Sequence, residues 1–339
     1  MFFLCLYYRI KNEEDKIIKM KRMIVILTLI SIFVLSFGFG ASAEPFRVAF
    51  LMPSAINDFA WSQSMYEALL TIQKEMGKEN FEFVYSENMF VVADAAAAIR
   101  DYASEGYDLV IAHGSQYGAS LSDIAPDFSD TSFAWGSTAN VFADLGITNI
   151  FAYEPFSEQG GYVNGVLAAK LSKSNIYGVI GPIETGDAKR YTEGFKAGIK
   201  SVKPDAKINV TWIGSYSDVA LASEAAQTHI DAGADVLTGT SQMTVGAIGV
   251  AKQRGALWFG YDVDQSALAP QNVVASVDVI WTIAVKPMIE MIQKGERGGK
   301  IFTLNLANGG LKIVVNEEAL VGKTIEDIVK GNVEVKVEE

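Results

Sequence analysis

Short apolar runs alternate with helical patterns from Phe46 onward, and this alternation limits the possible folds more than any other feature. In Val48–Met76, a buried-strand pattern is followed by a turn at Asn57-Asp58 and then by apolar residues at helical spacing. Strands that alternate with helices are typical of parallel sheets, where ligands bind just beyond the carboxyl ends of the strands. The pattern predicts an α/β fold with a ligand site near this turn.

The same order of elements occurs twice. Arg47–Pro53 (RVAFLMP) parallels Ile176–Pro182 (IYGVIGP), and each is followed by a loop with an aspartate and then by a helix. Ala95–Gln116 parallels Ala222–Gln242, and both end in a glycine-containing turn, a serine and a glutamine. The repeat predicts two lobes, each a parallel sheet flanked by helices, joined by a hinge and enclosing a ligand cleft.

The expected division of the chain follows from these elements. We assign residues 1–43 to a leader, residues 44–152 with about 261–284 to the first lobe, and residues 153–260 with about 285–339 to the second. The strand predicted at Val273–Val277 is placed in the first lobe because it needs the edge of a sheet.

The N-terminus has the features of a secretory signal peptide. A basic segment at Met20–Met23 precedes the apolar run Ile24–Phe39 and the small-residue cleavage motif at Ala41–Ala43. We expect export, with Glu44 as the first mature residue and translation starting at Met1, Met20 or Met23. An uncleaved membrane anchor is the alternative, since the apolar run is only slightly shorter than a span.

Cysteine content and charge indicate the compartment in which the mature chain functions. The only cysteine, Cys5, lies in the leader, so the mature chain has neither disulfides nor a lipid-attachment cysteine. Residues 1–43 hold six Lys/Arg and three Asp/Glu, so their removal changes the net charge from −12 to −15. Such a surface repels nucleic acid and anionic lipid. We expect an untethered monomer in the periplasm or another extracytoplasmic space.

The mature sequence has no catalytic or cofactor-binding signature. It contains neither a P-loop nor a G-x-G-x-x-G motif, and in Gly114–Gly118 the serine is one position too early for a nucleophile elbow. Its two histidines, His113 and His229, lack the spacing of a metal site. We therefore expect no catalytic residues, no metal and no cofactor.

Polar and aromatic residues near strand ends remain as candidates for ligand binding. Each has a structural alternative: Asn57 and Asp58 are also suited to cap a helix. The two tryptophans and the histidine are also consistent with core packing, which the spacing favours for Trp281, and the tyrosine is consistent with a hinge position. The candidates are Asn57, Asp58, Trp61, His113, Ser115, Gln116, Tyr153, Gln242, Asp262 and Trp281.

Four segments, VAFLMPSAINDFAWSQSMYEAL, DLVIAHGSQYG, VTWIGSYSDVALASEAA and FGYDVDQSALAP, resemble the basic membrane protein family. This family comprises solute-binding components of ABC importers, including purine nucleoside receptors. The resemblance implies a type I-like periplasmic-binding-protein fold and a permease partner in the membrane. It also implies that a purine stacks on Trp61 and that Asp262 or Asp264 binds ribose.

The chain departs from the nucleoside receptors in two places. They carry a lysine shortly after the strand that follows the aspartates, but no lysine lies between Ala275 and Thr282. Trp61 replaces a phenylalanine, and tryptophans at 61 and 281 are similar to a branch associated with free nucleobases. A base and a nucleoside both stay open as ligands. The alternatives to transport are a secreted nucleoside-processing enzyme and a ligand sensor that acts on a membrane receptor.

Overall fold

The structure, a computed structural model, describes residues 44–315 and 320–337, together with Lys16, residues 19–21 and Met23. Met1–Glu44 and Pro45–Glu339 form separate compact units. The described leader residues are helical, and the predicted apolar run and cleavage motif lie outside the described residues. Within the described part of the chain, no helix has the length and apolar character needed to cross a membrane.

Two six-stranded sheets organise the described residues of the second unit. The strand order is β11-β5-β4-β3-β1-β2 in the first sheet and β12-β10-β9-β8-β6-β7 in the second. All pairs are parallel except β10 with β12. The strands are β1 Phe46–Leu51, β2 Phe81–Ser86, β3 Leu109–His113, β4 Ser132–Gly136, β5 Ile150–Pro155, β6 Ile176–Gly181, β7 Lys207–Trp212, β8 Val236–Gly239, β9 Leu257–Asp262, β10 Val273–Val279, β11 Ile301–Leu304 and β12 Leu311–Val315.

Helices cover both faces of each sheet, so the central strands are buried on both sides, as in parallel sheets generally. Along β1, Val48 and Phe50 pack into one core and Ala49 and Leu51 into the core on the other face. The helices are α1 Trp61–Met76, α2 Val92–Ser104, α3 Gly118–Ile124, α4 Ser157–Leu171, α5 Gly186–Val202, α6 Val219–Asp231, α7 Thr244–Arg254, α8 Thr282–Gln293 and α9 Gly322–Val329.

We define lobe 1 as the first sheet with α1, α2, α3 and α8, and lobe 2 as the second sheet with the other helices. The chain passes between the lobes after β5, after β10 and after β11. Besides these crossings, the Gln265 side chain of lobe 2 donates to the Phe59 carbonyl oxygen of lobe 1 at 3.0 Å. The two lobes are therefore joined both covalently and by side-chain contacts.

The lobe assignment differs from the expectation at three elements. β10 lies beside β9 in lobe 2, although the sequence analysis placed residues 261–284 in lobe 1. α8 and β11 lie in lobe 1, although the sequence analysis placed residues 285–339 in lobe 2, and an ion pair joins Lys286 of α8 to Glu75 of α1. A buried apolar strand satisfies its backbone hydrogen bonds at the edge of either sheet, so its sequence pattern does not identify the sheet.

Candidate functional site

A cavity of about 220 Å³ lies between the lobes, at the carboxyl ends of strands from both sheets. Lobe 1 contributes residues that follow β1, β2, β3 and β4, and lobe 2 contributes residues that follow β6, β7 and β8. This is where open α/β sheets generally bind ligands. Its lining residues are Pro53, Trp61, Phe90, Gly114, Ser115, Gln116, Ser137, Asp187, Tyr216, Ser241 and Gln242.

Trp61, the first residue of α1, presents an aromatic ring to this cavity. Its indole stacks on the His113 imidazole with ring centroids 4.3 Å apart and planes 12° apart. The indole Nε1 donates a hydrogen bond to the His113 carbonyl oxygen at 3.1 Å. The imidazole thus covers one face of the indole, while Trp61 also borders the cavity.

His113 supports Trp61 and is itself fully buried. Its Nε2 lies 3.0 Å from the Trp61 carbonyl oxygen, which only accepts, so Nε2 carries the hydrogen. Its Nδ1 then accepts from the Tyr153 hydroxyl at 2.8 Å. Burial lowers the pKa of His113 to about 3, so the imidazole is neutral at working pH. The structure places both His113 and Tyr153 behind Trp61 and outside the cavity lining.

Trp281 lies at the other side of the same aromatic group. It is fully buried, its Nε1 donates to the Ser64 hydroxyl at 2.7 Å, and it meets Trp61 edge-on with ring centroids 4.9 Å apart. Trp281 does not line the cavity. The structure therefore places it as a support for Trp61, away from the position in which it would close a stack around a ligand.

Asp58 caps helix α1. Its carboxylate accepts backbone hydrogen bonds from Ala60, Ser62 and Gln63 at 2.9–3.2 Å. Burial nevertheless raises the pKa of Asp58, against the lowering effect of these N–H donors. Asn57 is exposed, and neither residue lines the cavity.

Besides Trp61, three other predicted residues line the cavity, namely Ser115, Gln116 and Gln242. The sequence analysis missed others, chiefly Phe90, Ser137, Asp187 and Tyr216. The internal repeat contained the signal for two of them, because Asp187 follows β6 as Asp58 follows β1, and Tyr216 follows β7 as Phe90 follows β2.

Asp187 is the charged residue of the cavity lining. Burial raises its pKa to about 6, although Arg190 and the Ser137 hydroxyl both favour the ionised form. Ser137 belongs to lobe 1 and Asp187 to lobe 2, so polar side chains of both lobes line the cavity. The site thus offers a partly buried carboxylate to a ligand donor.

Asp262 lies at the end of β9 and is 2% exposed. Its φ of +83° is unusual for a residue with a side chain. Burial raises its pKa well above the ordinary value, and the charges of Asp187 and Asp58 raise it further. Asp262 lines a second cavity beside α1 and does not line the first.

The family model described as PnrA-like ABC transporter substrate-binding protein matches residues 46–338. The chain is 31% identical over 244 residues to a purine-binding protein of Brucella abortus, covering 72% of this chain and 68% of that protein. It is 30% identical over 274 residues to the transcriptional activator protein Med of Bacillus subtilis, covering 78% and 83%.

A solved solute-binding protein of an ABC transporter system from Conexibacter woesei has the same fold. It superposes with a TM-score of 0.71 at 22% identity, over 86% of this chain and 98% of that chain. The predicted α/β fold of the type I periplasmic-binding-protein kind and the family resemblance are both confirmed. The enzyme alternative is set aside, because the family consists of substrate-binding proteins. The chain belongs to the PnrA-like family of ABC transporter substrate-binding proteins.

Proposed function

We propose that the protein binds a purine ring in the cavity between the lobes and delivers it to an ABC permease. The observation that carries the proposal is the Trp61 indole, which stacks on His113 and belongs to a residue that lines the cavity. Stacking of a base on an aromatic side chain contributes roughly 1–3 kcal/mol and requires only a flat ring. The name of the purine-binding relative from Brucella abortus agrees with this chemistry.

The other cavity walls suit the edges of such a ring. Phe90 of lobe 1 and Tyr216 of lobe 2 add aromatic surface. The amides of Gln116 and Gln242 offer both donors and acceptors, and the Asp187 carboxylate accepts from a ring N–H or an amino group. A purine presents donors and acceptors at its edges, so it would satisfy these groups on both sides of the cleft.

The dimensions of the cavity favour a free base over a nucleoside. Its volume of about 220 Å³ is below the roughly 300–1,000 Å³ of pockets for drug-sized ligands. Asp262, the expected ribose ligand, lies outside the cavity lining, and Asp264 likewise lines only the second cavity. We therefore propose a purine base as the ligand, with Trp61, Gln116, Asp187 and Gln242 as its principal contacts.

Delivery to a permease requires an exported protein. We propose that residues 1–43 are removed and that the mature chain, a monomer, starts at Glu44 in an extracytoplasmic space. Closure of the lobes around the ligand would create the shape that the permease recognises. N-terminal sequencing of the exported protein should return Glu44-Pro45-Phe46, whereas a sequence that begins upstream of Ala41 would indicate a retained anchor.

A thermal-shift screen with purine bases, nucleosides and sugars tests the ligand class. A ligand at 100 times its dissociation constant should stabilise the folded protein by about 2.7 kcal/mol. We expect the largest shift with a purine base and a smaller one with its nucleoside. If only sugars raise the melting temperature, the purine proposal is wrong.

Ligand sensing is the second candidate function, because the relative Med is named as a transcriptional activator. Uptake of labelled purine by cells with and without the gene separates the two. Transport predicts that uptake falls when the gene is deleted, and sensing predicts unchanged uptake with an altered transcriptional response to purine.

A further inference from the structure

A second cavity, which we call the acidic groove, lies between α1 of lobe 1 and the ends of β9 and β10 in lobe 2. It has a volume of about 410 Å³ and shares no lining residue with the purine cavity. Four carboxylates line it, together with Trp281 and several hydroxyl-bearing residues. The carboxylates belong to Glu67, Asp262, Asp264 and Asp278.

Two of these carboxylates are direct neighbours across the sheet. Asp262 of β9 and Asp278 of β10 are paired in the strand register, and both side chains line the groove. Like charges opposite one another on neighbouring strands destabilise a sheet. Lys312 faces Asp278 from β12 on the other side and favours its ionised form. Lys312 is thus a single basic side chain beside the four acidic side chains of the groove.

In both Asp262 and Asp278, one carboxylate oxygen also lacks a hydrogen-bond donor. Within residues 44–315 and 320–337, no hydrogen-bond donor reaches Oδ1 of Asp262 or Oδ1 of Asp278, although both atoms are buried. Asp262 is only 2% exposed. Buried acceptors without a donor are rare in folded proteins because they lose their hydration without compensation. The arrangement calls for a ligand that brings both positive charge and hydrogen-bond donors.

The groove suits an organic cation better than a metal ion. Among the described residues, no group of three or more His, Cys, Asp or Glu side chains is arranged to hold a metal. Ala68, Val263 and Val279 line the groove together with the carboxylates, so it offers apolar surface as well as acceptor atoms. An alkylammonium supplies three N–H donors and an apolar stem, which match separated carboxylates beside apolar side chains.

We propose that the acidic groove is a second ligand site, which binds a small organic cation that carries a primary ammonium group. The cation lies between Glu67 of lobe 1 and the three aspartates of lobe 2, so it offsets charge repulsion between the lobes. It therefore stabilises the arrangement in which the lobes are in contact. The groove shares no lining residue with the first cavity, so the proposal does not require that the protein binds purines.

Titration calorimetry and thermal shift with propylammonium chloride test this site. The neutral isostere 1-propanol, calcium chloride and sodium chloride at matched ionic strength serve as comparisons. We expect saturable binding of propylammonium and no binding of 1-propanol. Affinity should be higher at pH 8.5 than at pH 6, since burial and the charge of Asp264 raise the pKa of Asp278 to about 7, while the ligand stays charged below about pH 10.

Two variants locate the binding. Asp278→Asn removes one of the paired charges with little change of shape, and Glu67→Gln changes an exposed residue on α1 that the core does not need. Each should weaken propylammonium binding at least tenfold, and Glu67→Gln should leave purine affinity within threefold. The matched control Asp144→Asn changes an exposed carboxylate outside the groove and should leave both affinities unchanged. The proposal is overturned if propylammonium stabilises no more than sodium, if calcium binds instead, or if the groove variants bind propylammonium as the wild type does.

Discussion

Trp61 combines a structural and a functional position in one side chain. It is 9% exposed and belongs to the core of lobe 1, yet it also lines the proposed purine cavity. The sequence identified it because it follows the first strand at the start of a helix. The sequence did not reveal its support, because the stack with His113 and the edge contact with Trp281 depend on side chains that tertiary packing brings together.

Substituting Trp61 tests the stacking role. Trp61→Ala should weaken purine binding at least about tenfold, since a stacked base contributes roughly 1–3 kcal/mol. Trp61→Phe keeps an aromatic face and should lose much less affinity. Calorimetry of both variants, with unfolding curves to confirm that they fold, is the measurement. An alanine variant that folds and keeps wild-type affinity would assign Trp61 to the core alone.

Asp187 should make stability depend on pH in a defined direction. Its pKa is about 6 in the folded protein against an ordinary value of 3.8, so the folded state holds this proton more tightly than the unfolded state. The free energy of unfolding therefore falls as pH rises between these values and stays lower above them. Asp187→Asn removes this effect. It should raise the melting temperature of the unliganded protein at pH 8 and lose that advantage at pH 3.5.

The same variant tests the contact with the ligand. An asparagine side chain loses the charge that accepts a ring N–H, so Asp187→Asn should weaken purine binding at pH 8 while it stabilises the free protein. Unchanged affinity would show that the carboxylate faces the cavity without contacting the ligand. Stability and binding measured on one sample thus separate the two roles of this residue.

Among the elements, helix α1 shows how much a local pattern determines. Its apolar spacing predicted the helix, and the Asn57-Asp58 turn was recognised as either a cap or a ligand contact. The structure places Asp58 at the backbone N–H groups of the first turn. β10 is the opposite case, because its pairing with β9 depends on the sheet edge that the folded chain offers, and its own pattern contains no information about that edge.

Replacing the cap should affect stability and leave binding unchanged. Asp58→Ala removes an acceptor for three backbone N–H groups and should lower the free energy of unfolding by about 1 kcal/mol, measured by urea denaturation. Asp58→Asn keeps an acceptor oxygen and should lose less. Purine affinity should stay within threefold in both variants. A loss of more than tenfold with intact stability would make Asp58 a ligand contact instead.

At the scale of the whole molecule, the internal repeat predicted two equivalent lobes and the location of a site between their strand ends. The repeat also explains which cavity residues were predicted. Ser115 and Gln116 of lobe 1 correspond to Ser241 and Gln242 of lobe 2, and all four line the cavity. The acidic groove could not be predicted in this way, because its carboxylates come from α1, β9 and β10, which meet only when the lobes pack together.

A crystal structure of the mature chain grown with adenine tests the central claim most directly. We predict a purine ring between the lobes, parallel to the indole of Trp61 on the face opposite His113, with ring centroids about 4.5 Å apart. Its polar edge should lie within hydrogen-bonding distance of Asp187 and at least one of Gln116 and Gln242. Adenine bound elsewhere, or an empty cavity at a concentration that stabilises the protein in solution, would contradict the account.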